Sequence, residues 1–162
     1  MVNKTGNPTP DYIYVASSWK NNYQQSVVNT LRSYNIKCYD FRNPEDSKGF
    51  SWAEVLPVYS EGADPNGDIS LSDYFEALEH PRAIEGYNAD FAAMQKADLF
   101  LLVLPCGRSA HLELGWAVGH GKRTIILFED SLTPVTPELM YRMVDIFAHN
   151  MSDLLWCLGV EA

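Results

Sequence analysis

The run Leu99-Phe100-Leu101-Leu102-Val103-Leu104 constrains the fold more than any other stretch of this chain. It is continuously apolar and is closed by Pro105, so it has no polar face to turn toward water. A strand of this kind is stable when both of its faces are covered, as in the inner strand of a parallel sheet with helices on either side. It falls well short of the roughly 18 or more apolar residues a membrane span needs, and no other stretch reaches that length. The residues after it fit the same reading: a turn, Cys106-Gly107-Arg108-Ser109, then helical composition over 109–121, then a strand over 123–128.

The rest of the chain supplies matching elements. Tyr12 to Ala16 is a β-rich run ended by Ser17-Ser18. The spacing of Val27, Val28 and Leu31 predicts a helix over 23–34, and strand chemistry returns over 36–41. This strand–helix–strand opening has the lengths of a parallel unit. Ser70 or Ser72 caps a helix that reaches about Glu79 and stops at His80-Pro81; Tyr87, Phe91 and Met94 then mark a helix over 84–96. A short helix from Thr136 or Pro137, a last strand within 143–148 and an Asn150-capped helix to Leu158 complete the order. The expected architecture is a single-domain α/β fold of the flavodoxin-like (Rossmann-like) kind. It has a five-stranded parallel sheet in the order 2-1-3-4-5 and helices on both faces. Residues 1–10 are expected to be a flexible lead and 11–162 the domain. Residues 42–68 are rich in proline, glycine and aspartate yet carry Phe50, Trp52, Val55, Leu56 and Tyr59, which favours a lid or pocket wall over a plain linker.

A length of 162 residues is enough for one real core, and 46% hydrophobic with 20% charged residues describes a soluble globular chain. The formal net charge of -9 argues against a nucleic-acid polymer or an anionic membrane as partner, since both require a basic footprint. The polar N-terminus lacks the pattern of a signal peptide. Cys38, Cys106 and Cys157 are far apart, with no paired metal spacing, and the four histidines show none either, so neither a metal nor another cofactor is expected. A reducing, cytoplasmic setting is the simplest reading, with Cys38 and Cys157 as core residues.

In a sheet of this order ligands bind beyond the carboxyl ends of the strands, near the switch between strands 1 and 3. Those ends are Ser17-Ser18-Trp19 and Cys106-Gly107-Arg108-Ser109. Glu113 is the only formally charged residue between Arg108 and Lys122, with Leu112 and Leu114 beside it and Ala110, Trp116, Ala117 and His120 at helical neighbours. With Ser109 as N-cap it is no part of a capping box, and the surrounding residues are not those of a solvated face. A reactive carboxylate is the stronger reading. Tyr14 either packs in the first strand or orients that carboxylate. Asp90, beside Asn88 on the helix before strand 3, is a solvated acid or a site residue. Backbone N–H groups of the loop at Gly107, Arg108 and Ser109 suit an anion, with the Arg108 guanidinium adding charge. The loop has neither the Walker pattern nor a Gly-x-Gly-x-x-Gly turn.

Three segments, in order, resemble the nucleoside 2-deoxyribosyltransferase family. They are Ile13-Tyr14-Val15-Ala16-Ser17-Ser18-Trp19, then Tyr87-Asn88-Ala89-Asp90 with Ala97-Asp98 and an apolar strand, then Leu112-Glu113-Leu114-Gly115-Trp116-Ala117 followed by Gly121-Lys122. The resemblance spans about 12–128. It implies that Glu113 attacks the anomeric carbon of a (deoxy)ribosyl group, that Tyr14 holds Glu113 and that Asp90 contacts the base and helps protonate it. Ser17, Ser18, Trp19, Asn88, Gly107, Arg108 and Ser109 would bind a nucleoside or nucleotide. It also implies a homo-oligomer, with the His149–Asn150 region completing a neighbour's pocket. One departure matters: the family's transferases carry an aspartate in the turn before the nucleophile, where this chain has Gly107. Hydrolysis of a nucleoside 5′-monophosphate is therefore expected ahead of base exchange. A Toll/interleukin-1-receptor-like NAD hydrolase and a non-catalytic nucleotide-binding sensor are the competing expectations.

Overall fold

The computed structural model describes residues 9–45, 48–56, 58, 69–129 and 136–160. The elements run β1 (Ile13–Ala16), α1 (Asn22–Ser33), β2 (Cys38–Asp40), a 3₁₀ turn (Trp52–Glu54), α2 (Leu71–Leu78), α3 (Pro81–Lys96), β3 (Leu99–Val103), α4 (Arg108–Gly119), β4 (Arg123–Leu127), a second 3₁₀ turn (Leu139–Met143), β5 (Ile146–Ala148) and α5 (Met151–Leu158). They fall into two compact units, one built from Met1–Asp40 with Met94–Ala162 and the other from Phe41–Ala93.

The larger unit holds a five-stranded, all-parallel sheet in the order β2-β1-β3-β4-β5. β3 sits at its centre, Leu99 to Val103 all buried, as a strand without a polar face must be. Side chains alternate between the two faces. Ile13, Val15, Leu99, Leu101, Val103, Ile125 and Leu127 cluster with Val27, Val28 and Leu31 of α1 and Leu154, Cys157 and Leu158 of α5. The alternate residues face α4: Tyr14 stacks between Tyr39 and Phe100, and Phe100 meets Trp116 of α4 at 6.1 Å between centroids. Helices therefore cover both faces of the sheet.

Polar pins fix the strand ends. The Asp98 carboxylate accepts from the backbone N–H of Asp11 and of Tyr12, both at 2.9 Å, tying the start of β1 to that of β3. Lys122 Nζ donates to the carbonyls of Gln95 and Ala97, at 2.8 and 2.6 Å, where the last turn of α3 leaves acceptors unpaired. Cys38 and Cys157 are buried core residues, as expected from their settings.

In the smaller unit a loop is fastened onto α3. Arg82 donates to the carbonyls of Lys48 and Gly49 at 2.7 and 2.8 Å and to Glu54 at 3.1 Å. A Cβ on Gly86 would lie 2.6 Å from that of Phe50, so only glycine lets the Phe50 side chain reach the helix. Ser51 and Glu54 form a capping box around the first 3₁₀ turn. Only Ala77 of α2 is buried.

Three boundaries differ from expectation. α4 begins at Arg108 with Gly107 as its N-cap, so Ser109 is not the cap but the second helical residue. α3 begins at Pro81, which ends one helix and opens the next: a proline at the first helical position sacrifices no internal hydrogen bond. The element after Pro137 is a 3₁₀ turn from Leu139. Ser70 and Asn150 cap α2 and α5 as expected. The first eight residues of the expected lead, and 46–47, 57 and 59–68 of the expected lid, lie outside the described residues.

Candidate functional site

Two strand ends and the start of one helix make the candidate site in the sheet unit. β1 and β3 end side by side, Ala16 opposite Leu102. The Ser17 hydroxyl donates to the Val103 carbonyl at 2.8 Å and accepts from Asn21 Nδ2 at 3.1 Å. Asn21 is buried and is also the N-cap of α1, accepting from the Tyr23 N–H. Ser17 is thus a clamp between the two strand ends. Ser18 turns the chain, its Oγ accepting from the Lys20 N–H and its carbonyl from the Asn21 N–H. Trp19 is half exposed beside it.

α4 continues from the other strand end. Gly107 offers no side-chain cap, and a Cβ there would meet nothing within 4 Å. The first N–H groups of a helix lack intrahelical acceptors, so this open start presents donors from Arg108 and Ser109. Both side chains are exposed. Ala110, Leu114 and Ala117 face the sheet.

Glu113 is half-buried, five residues into α4 and beyond the first turn, so a dipole or capping role does not account for it. At helical spacing it shares a flank with Ser109, Trp116 and His120. Trp116 packs on Phe100, which stacks on Tyr14 at 4.7 Å. Tyr14 is fully buried, on the sheet face that α4 covers. The expected packing in the first strand is therefore what the ring stacks show. Trp116 in turn stacks on His120, whose Nδ1 lies 2.8 Å from the Trp116 carbonyl.

The charge of Glu113 is felt at Cys106. Burial, and after it the Glu113 carboxylate, push the Cys106 thiol up to about 12 from an ordinary 9.0. At neutral pH the sulfur is a protonated thiol, which removes it as a nucleophile even though His111 Nδ1 is 3.6 Å away.

A cavity of about 710 Å³ opens on the opposite flank of α4, lined by Gly107, Arg108, His111, Leu112, Gly115 and Tyr141 among others. Glu113 is not among its described lining residues. The turn therefore serves two surfaces: Gly107 and Arg108 reach the cavity, while Ser109 and Glu113 lie on the other side of the helix. The cavity wall is held by His111, whose Nε2 is 2.9 Å from the Tyr141 hydroxyl with the rings stacked. Burial raises the Tyr141 hydroxyl to about 12, with Cys106 and Glu138 adding to the effect.

Asp90 and Asn88 belong to the smaller unit, on α3, Asp90 half-buried and Asn88 exposed beside the stacked Tyr87–Phe91 pair. Sequence reasoning missed Asn21 and the buried Asp40 at the end of β2, which accepts from Gln24 Nε2 at 3.1 Å. The Gln24 Oε1 is buried without a hydrogen-bond partner among the described residues. The pair Asn21-Asn22, at the start of the helix that follows the first strand, was the available signal for the first. Among the described residues no group of His, Cys, Asp and Glu is arranged to hold a metal ion, and no helix is long and apolar enough to cross a membrane.

No family model matches the chain, and no curated protein does. Among solved structures it is similar to a 2-deoxyribosyltransferase from the psychrotolerant bacterium Bacillus psychrosaccharolyticus. The two share 17% identity over 93% of this chain and 97% of the other, with a TM-score of 0.53. At that identity the likeness shows a shared fold: an all-parallel, five-stranded α/β sheet of nearly the same extent.

Proposed function

We propose that this chain cleaves the N-glycosidic bond of a (2′-deoxy)nucleoside or its 5′-monophosphate through a glutamyl-glycosyl intermediate. The observation that carries the reading is the position of Glu113, a half-buried carboxylate in the second turn of α4, the helix that follows the central strand and covers the sheet face holding Tyr14. The 2-deoxyribosyltransferase of the same fold supports glycosyl transfer as the reaction class.

In the proposed reaction a Glu113 oxygen bonds to the anomeric carbon as the carbon–nitrogen bond breaks, and the departing base takes a proton, for which Asp90 is the proposed donor. The transition state is oxocarbenium-like, so a carboxylate under that carbon stabilises it before capturing it. Water then attacks the same carbon, the ester to Glu113 breaks, and the water's proton passes to the carboxylate of the proposed donor, Asp90, which restores the acid. A second base in place of water gives transfer. Hydrolysis is the favoured outcome because Gly107 replaces an acid in the turn. The open N-terminus of α4 with Arg108 is the proposed place for a 5′-phosphate. Ser18, Trp19, Asn88 and Ser109 are the further proposed contacts, and Ser17 acts by holding the strand ends.

The test is a panel of deoxynucleotides, ribonucleotides, nucleosides and NAD, with free base measured by chromatography. Glu113→Gln is expected to lower base release about a thousandfold or more while ligand binding persists. An active Glu113→Gln variant would remove the nucleophile assignment. Base released from NAD alone would point to an NAD hydrolase, and binding without turnover to a sensor.

A further inference from the structure

We propose that the apolar face of α2, in the unit 41–93, docks a basic amphipathic helix of a partner protein. It uses none of the residues proposed for the reaction. Leu71, Tyr74, Phe75 and Leu78 recur at helical spacing and so fall on one side of α2. A stripe of this kind is ordinarily turned to a core, yet here Leu71 is 67% exposed and Phe75 56%. The Trp52 ring lies 6.0 Å from that of Tyr74 and extends the patch beyond the helix. Aromatic and leucine side chains left open together, rather than singly, mark an interaction surface.

The patch is ordered before anything docks. The capping box of Ser51 and Glu54 sets the turn that carries Trp52, and Phe50 meets the Trp52 ring edge-on. Arg82 ties that turn to α3 through Glu54 and the carbonyls of Lys48 and Gly49. A preformed surface loses less conformational entropy on binding. A second helix is the occupant that matches its shape, because ridges of side chains at this spacing pack into the grooves of another helix. An extended segment has nothing to pair with, since the described residues of this unit include no strand.

Charge sets the sign of the partner. The unit 41–93 holds eleven acidic residues and three basic ones, so it carries all but one unit of the chain's net charge of -9. Two of those bases, Lys48 and Arg82, are engaged with Glu54 and Glu85. Asp73, Glu76 and Glu79 of α2 and its C-cap are exposed, and none forms an ion pair with another described residue. Glu79 stands one turn beyond Phe75, at the edge of the stripe. A second copy would bring the same acids and be repelled, as would an anionic membrane or a nucleic acid. Residues 59–68 bring three further acids and no base. A helix whose apolar stripe is flanked by lysine or arginine satisfies both features. Its aliphatic stems cover the rings while its cations reach the carboxylates.

Fluorescence anisotropy tests this with the whole chain and a labelled synthetic peptide of about five helical turns, leucine and lysine placed at amphipathic spacing. Binding is expected at micromolar concentration, weakening about tenfold or more as salt rises from about 0.01 to about 0.15 M. The Trp52 indole and the α2 amides should shift in NMR spectra of the complex. A peptide of the same composition with its leucines scattered around the helix is expected to bind about tenfold more weakly. Phe75→Asp and Leu71→Asp should each weaken binding about tenfold or more even though each adds an acid. Leu112→Asp, which adds the same charge at an exposed position of α4, should not. Both α2 positions are exposed, so unchanged circular dichroism will show that the fold survives. No binding up to millimolar peptide overturns the proposal, as does equal binding of the scattered peptide or undiminished binding by both α2 variants. Capture of the chain by phosphatidylcholine vesicles in preference to the peptide would give the face to a membrane instead. Self-association that Phe75→Asp abolishes would give it to a second copy, and either result sinks the proposal.

Discussion

Glu113 and Cys106 influence each other across the start of α4, and the direction of that influence can be tested at the residue scale. The thiol is raised to about 12, chiefly by burial and then by the Glu113 carboxylate. A group whose folded value lies above its unfolded one contributes stability below the unfolded value. Here that contribution is present below about 9.0 and is lost as pH rises through about 12. Iodoacetamide is therefore expected to label Cys106 far more slowly than a free cysteine near neutral pH, with a rate that climbs only in strong alkali. Glu113→Gln should move that profile to lower pH by a fraction of its displacement, since burial remains. Mass spectrometry of the labelled peptide gives the profile; an unmoved midpoint in the variant would separate the two residues. Much of this site could be read beforehand. Glu113 stood out because no other charge lay near it, and Gly107, Arg108 and Ser109 because a fold rule placed a crevice there. The division of those residues between two flanks of α4 could not be read, because it depends on where the helix starts. Ser17 illustrates the converse: its position was foreseen, but its hydrogen bond to the Val103 carbonyl joins residues 86 apart in sequence.

At the scale of elements, one carboxylate adds to the hold of the loop on α3. Backbone donation from Ser51, then Lys48 and Arg82, lowers Glu54 from 4.5 to about 2. A depressed acid stabilises above its unfolded value and loses that contribution as pH falls through its folded one, so the share of the hold due to Glu54 is full at neutral pH and is lost between about 4.5 and about 2. The Trp52 indole N–H signal in a pH-titrated NMR series is expected to shift across that window. In Glu54→Gln it should no longer move with pH across that window, because the amide does not titrate and loses both ion pairs, while its carbonyl still accepts in the capping box. A wild-type signal insensitive to acid would assign the loop's hold to Gly86 and Phe50 packing instead. Element ends were readable where a side chain does the capping, as with Ser70 and Asn150. They were misplaced where the backbone alone does it, as at Gly107. Pro81 was ambiguous in principle, because the same ring geometry that stops a helix also suits the first residue of the next.

Across the whole molecule the two units differ in how deeply their elements are buried, and this orders their stability. β3 is hydrogen-bonded on both sides, to β1 and to β4, and every one of its side chains is buried. α2 lies at the other extreme. Leu71, Tyr74, Phe75 and Leu78 recur at helical spacing on one side of it, yet all four are at least 39% exposed. The parallel sheet was legible because mostly apolar strands alternate with helices, although β2 ends in Asp40 and β4 opens with Arg123-Thr124, but nothing in an apolar stripe tells whether a partner lies against it. For α2 the stripe is one that would ordinarily be buried, and no described residue of the chain buries it. Amides open either locally or with the whole structure, and the burial around them decides which. Hydrogen exchange of the dilute protein is accordingly expected to leave Leu99–Val103 and Ile125–Leu127 protected longest, at the global unfolding free energy. The amides of α2 should exchange earlier by about two orders of magnitude or more. Protection of α2 equal to that of β3 in dilute solution would show that its apolar stripe is covered after all.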